Sequence, residues 1–176
     1  MNYPTVFPKI STERLTLRQV SFNDKRAIFK LHSNKVVNKL ITRETPKNLN
    51  DADAFIQACL DNFETQNSIF WAIELQETTK IIGSINLYDI NSEDNSAKIS
   101  YELTPDYQKE GLMSETIKTI LDFAKLTTKL KTIDAITHQN NSNAITLLEK
   151  NQFTLQEANE NLPEDNAVFR LDINQE

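Results

Sequence analysis

Apolar and polar residues alternate along Leu15-Thr16-Leu17-Arg18-Gln19-Val20, the period of a strand with one buried face. The same period returns at Ile69, Trp71, Ile73 and Leu75, then over Lys80–Ile90 and Ala97–Leu103. Polar turns at Gln76-Glu77-Thr78-Thr79 and Asn91-Ser92-Glu93-Asp94-Asn95 separate these three runs, which predicts an antiparallel meander. Two helical stretches, Phe22 to Ser33 and Asn48 to Glu64, precede it. In the second, Phe55, Ala58, Cys59 and Phe63 share a face, and Asp51 and Asp53 suit the positive end of the helix dipole. After Pro105 ends strand pairing, Ile117, Ile120, Leu121 and Ala124 keep helical spacing over Ser114–Thr127. Ile133–His138 reads as a strand and Ser142–Asn151 as a helix with Ala144, Leu147 and Leu148 on one face. Phe153–Ala158 and Ala167–Ile173 close the chain as strands. The expected fold is α/β (α+β): one domain over residues 1–176, a mixed, mostly antiparallel, seven-stranded sheet flanked by about four helices.

Only two glycines occur in 176 residues, so their places are informative. Gly83 falls inside a strand pattern, where something must pass close to the backbone. Gly111 lies in Gln108-Lys109-Glu110-Gly111-Leu112-Met113-Ser114, between a strand and a helix. A glycine turn into a helix leaves amide N–H groups open beside the positive end of the dipole, which suits a phosphate. No Gly-Lys-Ser/Thr follows, so this is not a Walker loop.

Composition narrows the classes. A chain that is 39% hydrophobic supports a sizeable core. No apolar run reaches the roughly 20 residues that span a bilayer, and the N-terminus lacks a basic region followed by an apolar one. A cytoplasmic protein without membrane partners is expected. The net charge of -6 disfavours nucleic acid and mildly favours a cationic partner. Cys59 is the only cysteine and reads as core filler, and two distant histidines make no metal site.

At this level of detail the chain resembles the GNAT superfamily of acetyl-CoA-dependent N-acetyltransferases, and within it the ribosomal-protein N-terminal acetyltransferases. The resemblance rests on Thr12-Glu13-Arg14-Leu15-Thr16-Leu17-Arg18, on Trp71–Leu75 with Lys80–Ile85, and on Ile99-Ser100-Tyr101-Glu102-Leu103. It continues through Gln108-Lys109-Glu110-Gly111-Leu112-Met113 and through Asn141 with Leu148-Glu149-Lys150-Asn151-Gln152-Phe153. Three departures stand out. Lys109 replaces a second glycine of the loop, Gln152 replaces a glycine before Phe153, and Ala144 replaces a serine thought to protonate the departing thiolate. Lys98 also stands where relatives often carry a carboxylate.

The resemblance implies a splayed strand pair that admits acetyl-CoA. Its pyrophosphate would rest on the loop from Gln108 through Lys109, Glu110, Gly111, Leu112 and Met113 to Ser114. Its pantetheine arm would pair with the backbone of Leu103 and Thr104, and Asn141 would contact the cofactor or cap the following helix. Tyr101 and Glu102 point to opposite faces, so one should meet the reaction centre, Tyr101 toward substrate or Glu102 as base. His138 has the intrinsic pKa of a base near the cleft, and Tyr88 and His32 are candidates for the acceptor groove, although His32 otherwise reads as a surface residue. The acceptor would be a primary amine, on a protein N-terminus or a small molecule, approached by a monomer or homodimer. A non-catalytic acyl-CoA-binding module on the same fold is the alternative that Ala144 keeps open.

Overall fold

The computed structural model describes residues 1–41, 43–157 and 162–173. Its strands are β1 (Ile10–Ser11), β2 (Leu15–Gln19), β3 (Ile69–Leu75), β4 (Lys80–Asn91), β5 (Ser96–Leu103), β6 (Thr132–His138), β7 (Thr154–Leu155) and β8 (Asn166–Asp172). The helices are α1 (Lys25–His32), α2 (Leu49–Glu64), α3 (Leu112–Phe123) and α4 (Ser142–Lys150). One sheet runs in the order β1-β2-β3-β4-β5-β6-β8-β7. Every neighbouring pair is antiparallel except β5 and β6, which are parallel and joined through α3, as a parallel pair requires a long crossover.

Among the described residues eight strands are present where seven were expected. The extra one, β1, is a two-residue pairing of Ile10 with Leu17 and Ser11 with Thr16, too short to show alternation. β7 is shorter than the expected run from Phe153, because Phe153 turns its ring into the core at 2% exposure; Ala158 lies outside the described residues. α3 begins two residues earlier than its periodicity predicts, since Gly111 at φ +78° starts the helix. It ends in a wide turn over Ala124–Thr128.

The helices divide between the two faces of the sheet. Ile28 of α1 and Ala52, Ile56 and Cys59 of α2 pack on Val20, Phe70 and Ala72. Ile117 and Ile120 of α3 and Leu148 of α4 pack on the other face, with Leu15, Leu17, Trp71, Ile73 and Ile85. Cys59 is core filler as expected, its thiol pushed up to about 12 by burial. α4 ends in a Schellman turn: Phe153 N–H donates to Leu148 O (3.1 Å) and Gln152 N–H to Glu149 O (3.0 Å). Gln152 holds φ +67° in the place glycine favours.

Gly83 explains itself in the sheet. It lies opposite Leu103, and a Cβ there would stand 2.3 Å from the Glu102 carbonyl oxygen, a backbone atom that cannot yield. Gly83→Ala should therefore force β4 from β5 and cost at least ~1–3 kcal/mol, the usual cost of overpacking. Denaturant unfolding checks this; wild-type stability would mean the strands part freely.

Candidate active site

β5 and β6 pair only from Ser96–Thr132 to Ile99–Ala135. Beyond that point Ser100–Leu103 stay with β4, through Asn86–Ser100 to Gly83–Leu103, while Ile136–His138 stay with β8. The two strands therefore part at their carboxyl ends, where sheets of this kind bind ligands. α3 follows β5 and α4 follows β6, so both helix N-termini flank the opening.

The loop after β5 is held from below. Gln108 Nε2 donates to Leu103 O (2.9 Å), and the Thr104 N–H donates to Ile82 O (2.8 Å). Thr104 thus commits its amide to β4 and cannot offer it to the cleft. Lys109 and Gly111 both take left-handed backbone, at φ +66° and +78°. Among the described residues, no group accepts from the six consecutive amides of Lys109 through Ser114. Leu112 and Met113 meanwhile bury their side chains in the core. Open N–H groups around left-handed turns at a helix start make an anion-binding arc. This fits a pyrophosphate.

On the α3–α4 face, the Tyr101 hydroxyl reaches across the opening to Ala144 O at 3.5 Å. Burial raises its pKa, so the phenol keeps its proton. Asn141 caps α4: its Oδ1 accepts the Ala144 N–H at 3.2 Å, and its Nδ2 has no acceptor among the described residues. Capping and a ligand contact are therefore compatible.

Strand register puts Tyr88, Lys98, Glu102 and His138 on the opposite face of the sheet, spread along it rather than in contact. Glu102 is the centre of a buried charged cluster. Arg43 donates to both of its oxygens (3.2 Å for Nη1 to Oε1; Nη2 to Oε2), and the Ser84 hydroxyl donates to Oε1 (3.1 Å). His32 Nε2 lies 3.0 Å from Oε1, a close contact that falls short of hydrogen-bond alignment. Burial alone would raise the Glu102 carboxyl, but His32 and Arg43 outweigh it and hold the group at about 2. A carboxylate held that low is a poor proton acceptor near neutrality. His32 is 7% exposed rather than on the surface, because α1 lays it against the Phe55 ring and the sheet.

His138 Nδ1 accepts the Asn140 N–H at 3.1 Å, which leaves the ring proton on Nε2 in the neutral form. Burial raises the Tyr88 phenol, and Lys98 is paired with Asp89 at 2.8 Å. Two hollows open on this face. One of about 340 Å³ is lined by Ile28, His32, Lys47, Asp51 and Phe55, and one of about 510 Å³ by Lys98, Asp134, Ile136, Val168 and Arg170. Among the described residues, no three His, Cys, Asp or Glu side chains are grouped to hold a metal, and no helix is long and apolar enough to cross a membrane.

Sequence reasoning passed over Arg43, Ser84, Arg14 and Glu115. Arg43 sits in a segment without periodicity. The only local signal was Glu102 itself, a charge on the strand face that the first two helices cover, which demands a cation. Thr42 and residues 158–161 lie outside the described residues.

Comparisons with known proteins agree with this geometry. The family description "acetyltransferase (GNAT) domain" matches residues 14–154. An uncharacterized N-acetyltransferase, YoaA of Bacillus subtilis (strain 168), is 30% identical over 148 residues, 84% of each chain. Among solved structures, the ribosomal-protein α-N-acetyltransferase RimL in complex with coenzyme A superposes with a TM-score of 0.83 at 17% identity, covering 96% of this chain and 100% of that one. The microcin self-immunity acetyltransferase MccE, in complex with acetyl-CoA and AMP, gives 0.77 at 19% identity, covering 92% and 94%. With the family match spanning most of the sequence and the strand opening where such a fold needs it, the chain belongs to the GNAT family of N-acetyltransferases.

Proposed function

We propose that this chain, as one domain over residues 1–176, transfers the acetyl group of acetyl-CoA to a primary amine on a protein N-terminus or a small molecule. The observation that carries the reading is the parted β5–β6 pair with six open amides at its mouth. Those of Lys109 to Ser114 would hold the pyrophosphate, and the free edge of β5 up to Leu103 would pair with the pantetheine arm. Asn141 Nδ2 would donate to the cofactor while Oδ1 keeps the cap. Bound acetyl-CoA supplies an activated thioester carbonyl for direct attack by the amine.

The chain's own groups then divide the proton work. Tyr101 holds its proton beside Ala144, where relatives carry a serine, and would pass it to the departing sulfur. Glu102 would orient His32 and Arg43 rather than act as base, since it is held at about 2. With Nδ1 of His138 engaged, the amine proton would leave to water, and proximity would supply much of the rate. Tyr88 and His138, on the sheet face that the first two helices cover, would face the incoming amine.

Thiol release across terminal peptides, polyamines and aminoglycosides tests this reading. Tyr101→Phe is expected to lower kcat at least tenfold, and Ala144→Ser to restore part of it in the double variant, with cofactor affinity nearly constant. Bound acetyl-CoA with no release to any amine would overturn catalysis in favour of a regulatory acyl-CoA-binding module.

A further inference from the structure

Resting on that reading of the loop, we propose that Arg14 is a positioning residue for cofactor binding: it sets the pyrophosphate arc and neutralises a carboxylate in the first turn of α3 that opposes it. Arg14 lies at the corner between β1 and β2, more than 90 residues from the loop in sequence. Its guanidinium spans two targets. Nη1 donates to Glu110 O at 3.0 Å, while Nε and Nη2 hold Glu115 Oε2 at 2.8 and 2.7 Å. The Arg14 backbone N–H (3.3 Å) and the Thr12 hydroxyl take the other oxygen of Glu115.

The first contact bears on backbone direction. In a planar trans peptide the carbonyl and the next N–H point opposite ways. Drawing the Glu110 carbonyl onto Arg14 therefore turns the Gly111 N–H to the other side, where it can join the arc. Glu110 sits between the left-handed residues Lys109 and Gly111, so this peptide plane has no helix or strand to orient it. Arg14 is the only side chain among the described residues that bonds to it.

The second contact bears on charge. Glu115 stands in the first turn of α3, at the terminus meant to face an anion. Its carboxyl is 21% exposed and held below the usual range: burial works to raise it, and the bonds from Thr12 and Arg14 prevail. Left alone it would repel a pyrophosphate and compete for the amides. The forked guanidinium, which a lysine cannot imitate, neutralises it and holds it against the β1–β2 corner. Since Arg14 spends its charge there, it acts through the loop rather than as the phosphate's counter-ion.

The test compares acetyl-CoA with S-acetylpantetheine, which carries the same thioester but no pyrophosphate. Arg14→Ala is expected to lower kcat/KM for acetyl-CoA about tenfold, chiefly through KM, and for S-acetylpantetheine less than twofold. Arg14→Ala with Glu115→Gln should recover part of the loss, and Arg14→Lys should fall between wild type and Arg14→Ala. Melting temperatures close to wild type are expected throughout, since the pair is partly exposed. An equal loss on both substrates, or no loss on acetyl-CoA, would overturn the proposal. Wild-type protein that fails to bind acetyl-CoA would overturn the reading beneath it, and that result is seen before any variant is made.

Discussion

Gly111→Asp is expected to abolish the thermal stabilisation that acetyl-CoA gives the wild-type protein. At a hundredfold excess over Kd, a ligand of the folded state adds about 2.7 kcal/mol, or several degrees for a domain of this size. The substitution has room. A Cβ at Gly111 meets only Arg14 Nη2, at an ordinary 3.6 Å. The backbone at φ +78° is left-handed, which aspartate tolerates better than most residues. The variant should therefore fold. Its carboxylate, however, enters the arc of open amides, caps some of them and repels the pyrophosphate. Gly111→Asn, with the same shape and no charge, should retain part of the shift and so isolates the electrostatic share. An unchanged shift in a folded Gly111→Asp protein would place the cofactor elsewhere.

Glu102→Gln is expected to be strongly destabilising. It removes the anion that compensates Arg43 in a site where the carboxylate is only 8% exposed. Breaking one partner out of a buried ion pair costs ~3–5 kcal/mol, because the remaining charge stays buried. Linkage makes the same point from the wild-type side. The folded carboxyl sits at about 2 against an ordinary 4.5, which corresponds to about 3 kcal/mol in favour of the folded state. A depressed carboxyl stabilises fully above its unfolded value, so the contribution is intact near neutrality. It is lost as pH falls from about 4.5 through about 2. Urea unfolding at pH 7 and at steps down to pH 2 checks both statements. The wild type should lose its advantage over Glu102→Gln across that window, and equal stabilities at pH 7 would contradict the cluster. Activity should also show no limb near neutrality that titrates with Glu102.

The regular elements were legible because burial imposes a local rhythm. The meander of β3, β4 and β5 and the helix spacing of Ile117, Ile120 and Ala124 follow the alternation and helical period of apolar residues, and each survives in the structure. Gly111 was legible for a related reason: in a chain with two glycines, one placed between strand and helix marks a backbone demand that other residues meet poorly. The motif string also carried the family, since its pieces keep order and spacing over most of the chain.

What the sequence could not express are contacts between segments far apart. Glu102 meets Arg43 across 59 positions, and Arg14 meets Glu115 across 101. Neither partner lies in a periodic run that points toward the other. The roles of these charges depend on which strand face the register selects and which loop happens to cross it. Tyr101 and Ala144 become neighbours only because β5 and β6 part after Ile99 and Ala135, a divergence set by the pairing of each strand with its outer neighbour. The sequence by itself determined the elements, the core and the amide-rich turn, because those answer to local geometry and burial. Tertiary structure alone decided which charged groups are neutralised, which proton donor faces the opening and which amides stay free, because those depend on distances that no local pattern encodes.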